Sequence, residues 1–125
     1  MRKLFTIGET VLDIIFKNNQ PVASTAGGSM LNTSVTLGRL GLPVYFISEY
    51  GNDPVGKQID SFLAQNGIDT RHVYRYDDGK SALALAFLDE SNNAAYTFYK
   101  AYPQKRFDIA FPEVNADDIV LFGSI

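Results

Sequence analysis

Short apolar runs, separated by polar or glycine-containing segments, organise the first half of the chain. Leu4 to Ile7 and Val44 to Ile47 are two such runs, and each is almost wholly apolar. Short runs of this kind are typical of strands that are buried on both faces of a parallel sheet. Val11 to Phe16 predicts a further extended segment, and the polar residues 17–21 that follow it predict a turn.

Two further segments carry apolar residues at helical spacing. The first spans Ser29 to Leu40, with Ser29 as its N-cap and Gly41 as the residue that stops it. Its predicted buried face consists of Met30, Thr33, Leu37 and Leu40. The second has Asp53 as its N-cap, Pro54 in its first turn and Gly67 at its end. Its predicted buried face consists of Val55, Ile59, Phe62 and Leu63.

This alternation of strands and helices predicts an α/β fold built on a parallel sheet. The middle of the chain departs from the alternation. Ser81 to Leu88 and Ala94 to Tyr99 are extended segments joined by the polar residues 89–93, so they predict a hairpin outside the main sheet. Ile119 to Gly123 then predicts another buried parallel strand.

Composition narrows the possible functions. The 125 residues are 46% hydrophobic and 20% charged, which suits one globular domain. A formal net charge of -3 offers no basic surface for nucleic acid, and no apolar run approaches the roughly 20 residues of a membrane span. The chain has no cysteine and one histidine, so we expect neither disulfides nor a zinc or other metal site, and we expect a cytoplasmic protein.

A glycine pair at the start of the first helix is the main candidate for a binding site. Gly27 and Gly28 remove the side chains that would keep a ligand away from the backbone. Asn32 follows in the first helical turn, where its amide can donate and accept hydrogen bonds. This pattern suits a small polar ligand, although an ordinary glycine turn before a helix remains the alternative.

Four segments in this order resemble the ribokinase-like (PfkB) carbohydrate kinases, and the fructokinase branch in particular. They are Gly8 to Asp13, Ala26 to Asn32, Val44 to Gly56 and Phe62 to Thr70. The resemblance implies that residues 1–125 are the N-terminal part of a single doubly wound parallel-sheet domain with a small β lid. The lid strands would lie at about residues 11–24 and 81–100, and the C-terminal ATP-binding part would be absent from this chain.

The resemblance also implies a set of sugar-binding residues. Asp13 matches the family's sugar-binding aspartate, and a carboxylate suits a pair of neighbouring hydroxyls. Phe98 or Tyr99 would cover the apolar face of the sugar, or would only pack within the hairpin. Lys100 stands where some relatives carry an arginine that binds an acidic sugar, and its alternative is a solvated lysine. The expected substrate site is thus Asp13, Gly27, Gly28, Asn32, Phe98 and Lys100.

The catalytic machinery of such kinases is missing from the sequence. The family carries its catalytic aspartate in a Gly-x-Gly-Asp motif, and no such motif occurs in these residues. We therefore expect the sites for ATP and Mg²⁺ mainly in the absent part, and we expect the 125-residue chain alone to be inactive. The implied substrate is fructose. The alternatives are a nucleoside or 2-keto-3-deoxy sugar acid kinase, or a truncated non-catalytic chain that binds sugar or dimerises through its lid.

Overall fold

The computed structural model describes residues 2–123 as a mixed α/β structure. Within them the strands are β1 (Leu4–Ile7), β2 (Val11–Lys17), β3 (Gln20–Gly27), β4 (Val44–Ile47), β5 (Glu49–Gly51), β6 (Tyr74–Tyr76), β7 (Lys80–Leu88), β8 (Ala94–Ala101) and β9 (Ile119–Phe122). The helices are α1 (Ser29–Arg39) and α2 (Pro54–Gln65). The predicted α/β class, both helices and the hairpin are confirmed.

A parallel sheet with strand order β4-β1-β9, called here the inner sheet, forms the centre of the fold. Leu4 of β1 lies opposite Val44 on one side and Ile119 on the other. The apolar sequences of β1 and β4 fit the burial of these strands, since Phe5, Phe46 and Ile47 are at most 2% exposed. A hydrogen bond between the hydroxyls of Thr6 and Ser34 ties α1 to this sheet.

A second sheet with strand order β3-β2-β7-β8, called here the outer sheet, consists of two antiparallel hairpins. The hairpins join through a parallel pairing of β2 with β7, in which Leu12 lies opposite Leu83. Leu12 is buried, and Ile14 and Leu83 pack against the core, so one end of this sheet is attached to the body of the fold. Every residue of β8, in contrast, is exposed.

Asp53 fixes the start of α2 as the sequence predicts. Its side chain accepts a hydrogen bond from the backbone N–H of Gly56, and Pro54 occupies the first turn. The same carboxylate accepts hydrogen bonds from the backbone N–H and the hydroxyl of Ser81 on β7. The cap therefore also connects α2 to the outer sheet. At the other end, Gly67 takes the left-handed conformation expected after a helix.

The structure corrects the predicted geometry of α1. Its N-cap is Gly28 rather than Ser29, because the chain enters the helix with a φ of 112° that favours glycine. Its buried residues are Met30, Leu31, Ser34 and Val35. Thr33 and Leu37 are only half-buried and Leu40 is 71% exposed, so the predicted face is rotated from the true one.

The structure also corrects the prediction for β9. The strand pairs in parallel with β1, as predicted, but all four of its residues are exposed rather than buried. It is an edge strand of the inner sheet in the part of the chain that the structure describes.

Candidate functional site

Two backbone segments meet where β1 and β3 end and α1 begins. The first is the turn Gly8 to Thr10, which is held by hydrogen bonds from the Ser48 hydroxyl to the Gly8 carbonyl and from the Gly8 N–H to Ile47. The second is Gly28, whose α-carbon faces the carbonyl of Glu9 so closely that a β-carbon there would stand 2.5 Å from the Glu9 oxygen. Gly28 is thus required by both this close approach and its positive φ.

Three of the expected site residues project from the same face of the outer sheet. Asp13 on β2 lies opposite Ala84 on β7, and Ala84 lies opposite Phe98 on β8. Side chains of directly paired residues share a face, and so do residues two apart on one strand. Asp13, Phe98 and Lys100 therefore lie on one side of this sheet.

Asp13 is half-buried, and its carboxylate lies against the neighbouring strand at Gly27. Burial raises the pKa of this carboxyl above its ordinary value of 3.8, because the charged form loses hydration. A partly desolvated carboxylate of this kind is a strong acceptor for hydroxyl groups.

A cleft of about 160 Å³ opens between the Gly8 to Thr10 turn, the start of α1 and the end of β8. Its lining residues are Glu9, Thr10, Val11, Gly28, Ser29, Ala82, Phe98, Lys100 and Tyr102. Gly28, Phe98 and Lys100 are thus brought together in the cleft. Asp13, Gly27 and Asn32 are not among its lining residues, and Asn32 is exposed on the first turn of α1.

A charged network that the sequence did not reveal lies beside this cleft. Arg106 donates hydrogen bonds to both Glu9 and Glu49, and its guanidinium lies 3.6 Å from the centre of the Tyr102 ring. The Tyr102 hydroxyl donates to the Glu9 carboxylate at 3.3 Å. Burial opposes the charge on Arg106, but its bonds to Glu9 and Glu49 outweigh burial and raise its pKa.

Glu49 anchors this network within the protein. Its side chain is only 2% exposed, and it accepts hydrogen bonds from Arg106 and from the backbone N–H of Phe107. The irregular segment after β8 is thereby fixed against β5. Glu9 and Arg106 are far apart in the sequence, and Arg106 sits in a segment without periodicity, so no local pattern could predict their contact.

Among residues 2–123, no group of three or more histidine, cysteine, aspartate or glutamate residues is arranged to hold a metal ion. The described residues thus do not provide a set of protein ligands for a metal ion. Neither helix in this part of the chain has the length and apolar character needed to cross a membrane.

Comparison with known proteins decides the family. The sequence model of the family described as "pfkB family carbohydrate kinase" matches residues 1–124, which is almost the whole chain. This chain belongs to the pfkB family of carbohydrate kinases. The resemblance to this family, which was inferred from four segments between Gly8 and Thr70, is therefore confirmed.

Individual relatives agree with that assignment. A fructokinase from Salmonella typhimurium is 28% identical over 77% of this chain and 31% of its own length. A 2-dehydro-3-deoxygluconokinase from Haemophilus influenzae is 24% identical over 90% of this chain and 37% of its own length. A crystal structure of a fructokinase with bound ATP from Xylella fastidiosa superposes with a TM-score of 0.70 at 29% identity, covering 78% of this chain and 30% of that one. The chain thus spans about a third of the length of these relatives.

Proposed function

We propose that this chain forms the sugar-binding part of an ATP-dependent carbohydrate kinase that phosphorylates a hydroxyl of fructose. The observation that carries the proposal is the cleft between the glycine-capped start of α1 and the outer sheet. Family membership supplies the reaction class, and relatives named fructokinases favour the sugar. The cleft is lined both by polar groups and by the aromatic rings of Phe98 and Tyr102, a combination that suits a sugar, which has hydroxyls and an apolar face.

Five of the six expected site residues have a role in this proposal. Asp13 accepts hydrogen bonds from two neighbouring hydroxyls, while Gly27 and Gly28 let the sugar approach the backbone. Asn32 would both donate to and accept from a hydroxyl at the entrance of the site. Phe98 covers the apolar face of the ring. Asp13, Gly27 and Asn32 do not line the cleft, so their contact with the sugar requires the outer sheet to close over the sugar as a lid.

ATP and Mg²⁺ belong to the same proposal. When bound, they supply the phosphoryl group and neutralise the charge that develops during its transfer. The described residues offer no metal site, and the sequence has no Gly-x-Gly-Asp motif for a base. We therefore place the binding of ATP and Mg²⁺ and the proton transfer outside these 125 residues, which should bind sugar without phosphorylating it.

The test compares the complete gene product with the isolated 125-residue chain. Each is incubated with ATP, Mg²⁺ and fructose, and sugar phosphate is measured by a coupled assay. Phosphorylation by the complete gene product alone supports the proposal. Turnover by the isolated chain contradicts the proposal that catalysis requires residues outside these 125. A complete gene product that phosphorylates no sugar contradicts the proposed kinase activity.

A second candidate is a kinase for a 2-keto-3-deoxy sugar acid. The relative named 2-dehydro-3-deoxygluconokinase favours it, and so does the cation of Lys100 in the cleft. A nucleoside kinase or a non-catalytic sugar-binding chain remains a further alternative. The same assay with 2-dehydro-3-deoxygluconate and a nucleoside in place of fructose distinguishes these candidates.

We further propose that two copies of the chain pair through the outer sheet. Phe87 of β7 and Tyr99 of β8 lie on the same face of this sheet as Leu85 and are 40% and 55% exposed, and the ring of Phe87 stacks on that of Phe16. An exposed aromatic face of this kind favours association, and a second copy of the same sheet provides a self-complementary cover.

A further inference from the structure

Glu9 places a negative charge in the wall of the candidate sugar cleft. It stands two residues after the end of β1, and its side chain is 25% exposed. One carboxylate oxygen accepts hydrogen bonds from Arg106, at 2.8 Å, and from the Tyr102 hydroxyl. The other lies 3.9 Å from the ammonium nitrogen of Lys100. Glu9 thus contacts both cations at the end of the outer sheet.

The charges around the cleft are balanced. Arg106 is shared between Glu9 and the buried Glu49, which leaves Lys100 facing Glu9. The Lys100 ammonium also lies 5.4 Å from the centre of the Phe98 ring and 5.7 Å from that of Tyr102. Lys100 therefore has an anion and two aromatic faces as neighbours before any ligand enters.

We propose that Glu9 is a specificity-determining residue that makes this cleft selective for uncharged sugars over sugar acids. The proposal rests on the proposed sugar-kinase function and deepens it. It assigns the discrimination between the two candidate substrate classes to one side chain that sequence reasoning had not placed in the site.

Like charges repel each other strongly in a partly enclosed site. A ligand carboxylate that paired with Lys100 would lie within a few ångströms of the Glu9 carboxylate. The ion pair at 3.9 Å between partly exposed groups contributes little by itself, and Arg106 offsets part of the Glu9 charge, but the remaining negative charge still repels a ligand carboxylate. Two like charges at such a distance in a partly desolvated cleft disfavour binding by about tenfold or more. An uncharged sugar meets no such penalty, and its hydroxyls can donate to Glu9.

The experiment uses the complete gene product and a charge-neutralising variant. Glu9→Gln keeps the size of the side chain and an oxygen that accepts from Arg106 and Tyr102, while it removes the negative charge. Glu90→Gln, in the exposed loop after β7, removes the same charge away from the cleft and is the matched control. For each protein, kcat/KM and the dissociation constant from calorimetry are measured with fructose and with 2-dehydro-3-deoxygluconate.

We expect the wild-type protein and Glu90→Gln to favour fructose, and Glu9→Gln to shift the ratio toward the sugar acid by about tenfold or more. Adding Lys100→Met to Glu9→Gln should remove that shift, because the acid then has no cation to bind. A folded Glu9→Gln protein with an unchanged ratio overturns the role of Glu9 while the kinase function stands. A wild-type protein that neither binds nor phosphorylates either sugar overturns the proposed function as well.

A measurement on the wild-type protein keeps the proposal testable if Glu9→Gln does not fold. Glucitol and gluconate have the same carbon chain and differ in charge at one end. Glucitol should compete with fructose about tenfold better than gluconate does. Equal competition by the two compounds overturns the role of Glu9.

Discussion

The Asp13 carboxylate lies against the α-carbon of Gly27, so closely that a β-carbon on Gly27 would stand 2.3 Å from Asp13 Oδ2. The two residues lie on the paired strands β2 and β3. The carboxylate occupies the space that a side chain at position 27 would need, so the position of the Asp13 carboxylate depends on Gly27 being a glycine.

The first prediction concerns Gly27→Ala. The new methyl group must displace the Asp13 carboxylate, so sugar affinity should fall about tenfold, which corresponds to about 1.4 kcal/mol. Titration calorimetry with fructose measures this. Gly123→Ala is the control for added volume, since a β-carbon there comes no closer than 3.5 Å to another atom. Unchanged affinity in Gly27→Ala would show that Asp13 does not hold the sugar.

The second prediction concerns Asp13→Ala and Asn32→Ala in the complete gene product. Each change removes hydrogen bonds to a sugar hydroxyl and should cost about 1–3 kcal/mol of binding free energy. The KM for the sugar should rise accordingly in both variants, with thermal stability retained. A normal KM in both would assign these side chains a structural role.

The third prediction is a pH dependence of sugar binding. Burial raises the pKa of Asp13, so its carboxylate is protonated at a higher pH than the ordinary value of 3.8. Affinity should therefore decline on acidification before an ordinary aspartate would titrate. Asp13→Asn should bind more weakly throughout and lose this pH dependence, and a persistent dependence in that variant would implicate another group.

The fourth prediction concerns the cap of α2. Asp53→Ala removes bonds to Gly56 and Ser81 and should lower the free energy of unfolding by about 1–3 kcal/mol at pH 7. The exposed Asp117→Ala is the control.

Burial opposes ionisation of Asp53, but the bonds from Ser81 and Gly56 outweigh it and lower its pKa. This stabilisation is therefore present above the ordinary value of 3.8 and is lost as the pH falls through the lower folded value. Denaturant unfolding at neutral and acidic pH measures both effects.

The fifth prediction tests pairing through the outer sheet. Leu85 on β7 is half-buried, and Leu85→Lys should convert a dimer to a folded monomer in light scattering. Leu40→Lys adds the same charge at a residue that is 71% exposed at the end of α1, and it should leave the dimer intact. A wild-type monomer, or a Leu85→Lys protein that unfolds, would instead assign Leu85 to the core.

The sequence predicted the elements whose signals are local. α2 was predicted with its N-cap and its end because Asp53, Pro54 and Gly67 each act through neighbouring backbone. The cap of α1 was predicted wrongly because contact with Glu9, on another segment, decides the conformation of Gly28. The exposure of β9 likewise depends on what packs against it, which its own residues do not encode.

The candidate site was predictable in the same uneven way. Of the residues that line the cleft, Gly28 was predicted from the local pattern of the glycine pair, whereas Phe98 and Lys100 were predicted from the resemblance to the family. Glu9 and Arg106 were missed because their contact joins segments that are far apart in the sequence. Arg106 is marked by no periodicity or motif, and the resemblance over Gly8 to Asp13 gave Glu9 no role in the site.

The pairing of β2 with β7 has a consequence for how the protein is made. Leu12 emerges early from the ribosome, whereas its partner Leu83 emerges only after α1, β4 and α2 have been synthesised. Until then the β2–β3 hairpin exposes a strand edge that has no partner, and pairings between such distant residues form slowly. The candidate cleft, which also needs Phe98 and Lys100 of β8, is therefore assembled late, and we expect the nascent chain to be most vulnerable to aggregation during that interval.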